Sequence, residues 1–106
     1  MASLFEFTTR ALGDLDAIWS YIAEDSVRAA NRVEAAIVAT CSSLASHPLQ
    51  GAQRKTFTSL PLRFKPVGRY PNFIVVYRPE SAPLRIVAMV HGKQNLQPLL
   101  TGANEI

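Results

Sequence analysis

A chain of 106 residues has room for one small domain, and 48% apolar with 18% charged residues is the composition of a chain that buries a core. No apolar run exceeds five residues, which excludes a helical membrane span of about 20. The formal charge of +3 is unevenly spread: residues 1–53 carry three Arg against six carboxylates, and residues 54–106 carry eight basic residues against Glu80 and Glu105.

Phe5 and Phe7 alternate with Leu4, Glu6 and Thr8, the period of a strand with one buried face. From about Thr9 the period changes, and Ala11, Leu15, Ile18, Trp19 and Ile22 fall three and four apart as in an amphipathic helix. Gly13 weakens that helix, because glycine costs about 1 kcal/mol against alanine in a helix interior. Asp25-Ser26 supplies N-cap chemistry for a second helix, whose stripe is Ala30, Val33, Ile37, Cys41 and Leu44. So short a connection predicts an antiparallel hairpin with both stripes facing one surface. The residue before a proline is pushed out of the α region, so His47-Pro48 ends this helix, and a polar loop through Gln50 to Lys55 follows.

Three strand-like runs complete the chain: Leu62 to Val67, Asn72 to Arg78 and Leu84 to His91. The segments 68–71 and 79–83 between them are rich in turn residues. Residues 73–77 and 86–90 are continuously apolar, as expected of central strands covered by helices on one face and partly covered on the other. The expectation is a single α+β domain over 1–106 in the order βααβββ, with a core of about 4–92 and a short tail, 93–106.

The residues narrow the chemistry. The five glycines are scattered singly, so no phosphate-cradling loop exists. His47 and His91 are distant in sequence and the basic half holds two carboxylates, which leaves no expected metal site and no expected cofactor. Cys41 is the lone cysteine, on an apolar stripe, and reads as a small buried hydrophobe rather than a nucleophile. Trp19, Tyr21, Tyr70 and Tyr77 fall where the patterns already want bulk and read as core or core-edge. His91 has an intrinsic pKa suited to acid–base work, yet a histidine at a strand end is more often a hydrogen-bonded structural residue. The opening residues show neither a basic leader nor an apolar segment, and the expected location is the cytoplasm. A basic half invites an acidic partner without choosing among nucleic acid, protein and ribosome.

Residues 14–26 (DLDAIWSYIAEDS), Ala29-Ala30-Asn31-Arg32-Val33 and Ile37 resemble the helical hairpin of the RelE/ParE superfamily of type II toxins. So do His47-Pro48, residues 63–70 (RFKPVGRY), 73–78 (FIVVYR) and 86–92 (IVAMVHG), in the family's order from about Phe5 to Leu100. The resemblance implies a helical hairpin on a mainly antiparallel sheet and a cognate, ParD-like antitoxin whose partly disordered segment wraps the toxin.

The Tyr-Ile-Ala-Glu-Asp helix and the Val-His-Gly ending resemble the ParE branch, whose members are described as poisons of DNA gyrase and not nucleases. Members of the RelE branch cut mRNA on the ribosome. The resemblance thus implies a non-catalytic toxin whose target or antitoxin contacts are Arg63, Lys65, Arg69, Arg78, His91 and Lys93, with Leu99 and Leu100 in the tail. In the nuclease alternative, Arg63, Lys65, Arg78 and His91 are the acid–base candidates. The chain departs from the family at Ala88, where an arginine is frequent, and at Gln94-Asn95, where an Arg-Asp pair is common. Lost charge there admits a third reading, an inactive member that only binds antitoxin.

Overall fold

The computed structural model describes residues 4–55 and 58–91. Its elements are β1 (Phe5–Phe7), α1 (Thr9–Ala23), α2 (Val27–Ser46), β2 (Arg63–Val67), β3 (Tyr70–Arg78) and β4 (Leu84–His91), the expected βααβββ order. They form one four-stranded sheet in the order β1-β4-β3-β2. The consecutive strands β2, β3 and β4 pair antiparallel, whereas β1 runs parallel to β4, with Phe5 opposite Leu84 and Phe7 opposite Ile86.

Capping explains where the helices start. Thr8 Oγ1 accepts the Ala11 N–H at 3.1 Å and donates to the Val87 carbonyl at 2.8 Å, so one hydroxyl both caps α1 and ties it to β4. Ser26 Oγ accepts the Ala29 N–H in the same way and caps α2. The α2 stripe is buried as the periodicity predicts: Ala30, Val33, Ile37, Cys41 and Leu44. In α1 only Ala11 is fully buried, while Leu15, Ile18 and Ile22 pack at the margin of the core. Trp19 lies at the seam of the hairpin, where its indole N–H donates to Asn31 Oδ1 at 2.9 Å. Tyr21 corrects the expectation of a core position: it is 77% exposed. One residue before Ile22, it is rotated by about 100° from the buried stripe.

Both faces of the sheet are apolar, which accounts for the unbroken runs in β3 and β4. The helix-facing layer joins Ile37, Cys41 and Leu44 to Val75, Tyr77, Ile86 and Met89. The opposite layer is Phe64, Val76, Ala88 and Val90, with Leu60 and Leu62 folded over it. Leu62, expected to open β2, therefore serves that layer from the preceding segment.

Two irregularities set the register. Val87 has no partner on β3, because Val76 pairs with Ala88 and Tyr77 with Ile86. Its carbonyl is the one satisfied by Thr8. At the other end of β3, Pro66 pairs with Ile74 but Val67 with Tyr70, so Pro71, Asn72 and Phe73 bulge out. The β2–β3 connection is thus the two residues Gly68-Arg69 and not the whole of 68–71. A bulge accommodates Pro71, which has no N–H to give to a ladder.

Candidate protein-binding site

Polar groups on β2 and β3 first fix the loop after α2. The Tyr77 hydroxyl donates to the Pro48 carbonyl at 2.6 Å and accepts the Gly51 N–H at 2.8 Å. Arg63 Nη1 donates to the Gly51 carbonyl at 2.6 Å and reaches toward the Leu49 carbonyl at 3.4 Å. Burial raises the Tyr77 phenol above its ordinary pKa, against the lowering pull of the Gly51 hydrogen bond and the Arg63 charge. Gly51 is required at its position, since a Cβ there would lie 2.6 Å from the Tyr77 hydroxyl oxygen. Ala52 then forms a two-way bridge to Phe64, each N–H donating to the other's carbonyl at 2.9 Å.

This loop, α2 and the edge strand β2 enclose an open groove of about 430 Å³. Its helix wall is made of small residues, Ala36, Ala39, Thr40 and Ser43. Gln50 closes one end, holding the Ser43 carbonyl and hydroxyl through its amide at 3.0 and 2.9 Å. The strand wall is Lys65 and Pro66, and the other end is the Gly68-Arg69 turn. Arg69 has φ 71°, the left-handed region that glycine or asparagine usually occupies at this turn position. For a residue with a Cβ that conformation costs roughly 1–2 kcal/mol.

Register separates the cations expected to act together. Lys65 pairs with Val75 and Arg63 with Tyr77, which puts both on the helix side of the sheet. Arg78 is opposite Arg85 on the other side, where Arg85 also approaches Glu6 at 3.7 Å. His91 pairs with Phe73 and meets its ring edge to face, with centroids 5.5 Å apart. Phe73 and Arg78 are five residues apart along β3, which at the usual strand rise sets His91 and Arg78 roughly 17 Å apart along the sheet. Lys65 and Arg69 are the expected residues that share a site; Arg63 sits beside them, engaged with the loop. Lys93, Leu99 and Leu100, with Gln94 and Asn95, lie outside the described residues.

Sequence reasoning missed Thr8, Asp14 and the Tyr77 phenol. Thr8 carried a legible signal, a threonine just before a helical period. Asp14 did not: it sits on the polar side of α1, yet its Oδ2 accepts the Met89 N–H at 3.0 Å where β4 runs past the end of β1. Cys41 is fully buried and its thiol is pushed up to about 12, the chemistry of a packing residue. Among the described residues no three metal-ligating side chains cluster, and no helix is long and apolar enough to cross a membrane.

No curated protein matches the chain. A chain of a solved structure described as the chromosomal ParDE TA system from P. aeruginosa is 25% identical, with a TM-score of 0.65 over 82% of this chain and 92% of that one. The family described as the ParE toxin of the type II toxin–antitoxin system parDE matches residues 5–96. The chain therefore belongs to the ParE toxin family of type II toxin–antitoxin systems.

Proposed function

We propose that this ParE-family toxin arrests growth by binding DNA gyrase, without cutting nucleic acid, and that a ParD-like antitoxin neutralises it. The family resemblance supplies gyrase as the target. The observation that favours binding over cleavage is the dispersal of the acid–base candidates. Metal-free RNA cleavage needs a base, an acid and a charge stabiliser around one phosphate. Here Arg63 holds loop carbonyls, Arg78 is on the opposite face from Lys65, and His91 is against Phe73. Dispersed cations suit a broad protein surface, where charge steers association and sets register.

Pulse-labelling of DNA and protein synthesis, after induction of the chain without antitoxin, tests this reading. DNA synthesis is expected to fall first, and the purified chain to inhibit supercoiling by gyrase. An early fall in protein synthesis, with codon-positioned cuts in mRNA on ribosomes, would overturn it in favour of the nuclease. Unimpaired growth alongside tight antitoxin binding would mark an inactive member.

A further inference from the structure

We propose that the outer face of the helical hairpin binds a second copy of this chain, α1 of each copy lying antiparallel on α2 of the other so that carboxylates meet guanidiniums. The proposal goes beyond the growth-arrest reading and depends on neither gyrase nor antitoxin.

The charges of that face are sorted by helix. Turned from the buried stripes, α1 exposes Asp16 and, at its C-cap, Glu24, whereas α2 exposes Arg28 and Arg32. None of the four is in an ion pair: those found among the described residues join Arg10 to Asp14 and Arg85 to Glu6. Three of them are badly placed for their own helices. Arg28 and Arg32 are like charges one turn apart in the N-terminal half of α2, whose first turn holds no acidic residue. Glu24 stands at the C-terminal end of α1, whose last turn holds no basic residue. Each helix end carries the sign that its dipole disfavours, and the hairpin supplies no ion pair in return.

The register of the hairpin makes this face self-complementary. The hydrogen bond from the Trp19 indole to Asn31 sets those two residues at one level. At about 1.5 Å of rise per residue, Asp16 and Arg32 lie on one side of that level, within about 3 Å of the same height. Glu24 and Arg28 match as closely on the other side. Leu12 and Val38, each seven residues along its helix from that level, both fall about 10 Å away on the Asp16 side. They are 54% and 38% exposed. A two-fold axis along the hairpin preserves every level and exchanges α1 with α2. It therefore sets Asp16 against the partner's Arg32, Glu24 against the partner's Arg28 and Leu12 against the partner's Val38, each pair formed twice, as an isologous contact requires. Glu24 then also meets the N-terminal end of the partner's α2, where negative charge is favoured. Ala17, Ser20 and Ala35 are exposed on the same helices and small enough for close packing into a four-helix bundle of antiparallel neighbours. An acidic or a basic partner would answer one helix and be repelled by the other, whereas a second copy answers both.

Sedimentation equilibrium of the purified chain, with no antitoxin present, measures the dimer, and charge reversal tests its geometry. Arg28→Glu with Arg32→Glu makes the outer face of both helices acidic, and Asp16→Arg with Glu24→Arg makes it basic. All four positions are exposed, and thermal midpoints near that of the wild type certify folding. The wild type is expected to dimerise at micromolar concentration and each reversed chain at least tenfold more weakly, while an equimolar mixture of the two recovers a dimer as tight as the wild type's. Leu12→Glu, a single change at an exposed position, is expected to weaken the wild-type dimer by a similar factor. A wild type that stays monomeric overturns the proposal, and so does a dimer that both reversed chains retain. Weakening in only one reversed chain, or in both without recovery in the mixture, overturns the reciprocal pairing of α1 with α2. A dimer indifferent to Leu12→Glu overturns the contact of Leu12 with the partner's Val38.

Discussion

Tyr77 shows how one side chain can hold a loop that no local rule specifies. Its ring is fully buried in the helix-facing layer, and its hydroxyl bonds to two backbone groups 26 and 29 residues earlier in the chain. Tyr77→Phe keeps the ring but leaves the Gly51 N–H and the Pro48 carbonyl without partners, an expected loss of about 1–3 kcal/mol in urea unfolding. Cys41 makes a pH-dependent prediction. Its thiol is raised from 9.0 to about 12 by burial, so the folded state favours the neutral form. The resulting stability is complete below about pH 9 and is lost as pH climbs toward 12, and Tyr77 acts in the same direction. Urea midpoints should fall between about pH 9 and pH 11, and fall less in a Cys41→Ala variant whose lower starting stability reflects the missing thiol. The stripe foretold the burial of Cys41, whereas the phenol's partners depend on how β3 meets the loop.

At the scale of elements, α1 combines a weakness and a strength. Gly13 lies within it, exposed, with nothing near the position of an added Cβ and no positive φ. Gly13→Ala should therefore stabilise the protein by roughly 0.5–1 kcal/mol, read as a higher urea midpoint. The strength is Thr8 and Asp14, which hold the Val87 carbonyl and the Met89 N–H where β4 extends beyond its β1 partner. Sheet edges left with free backbone groups invite unwanted pairing. One edge is covered by a helix cap and a carboxylate, and β2 by Ala52 and Pro66. Helix periods are readable because residues three and four apart share a face whatever the fold. Edge protection is not, because Asp14 and Met89 are 75 residues apart in the chain.

Across the whole molecule, the charge imbalance of the sequence resolves into separate surfaces. Lys65 and Arg69 flank the groove on the helix side, and Arg78 faces away beside Arg85. If both surfaces engage the target, Arg69→Gly with Arg78→Ala should relieve growth arrest while leaving the fold intact. Glycine is the better test at position 69, because it removes the cation and accepts φ 71° without strain. Plating efficiency of the single variants then assigns the effect to one face. Undiminished toxicity of a folded double variant would remove both residues from the target surface.

The order of elements, the buried stripe of α2 and the apolar centre of the sheet were determined by the sequence alone, because periodicity, capping and turn chemistry act over a few residues. The family followed from the order and spacing of those motifs. Only the tertiary structure decided that β1 joins β4 in parallel, that Val87 and residues 71–73 bulge, and hence which face each cation occupies. A strand alternates faces at every residue, so one bulge reverses all that follows it. Whether such a bulge forms is settled by partners distant in the chain, such as the Thr8 hydroxyl beneath Val87.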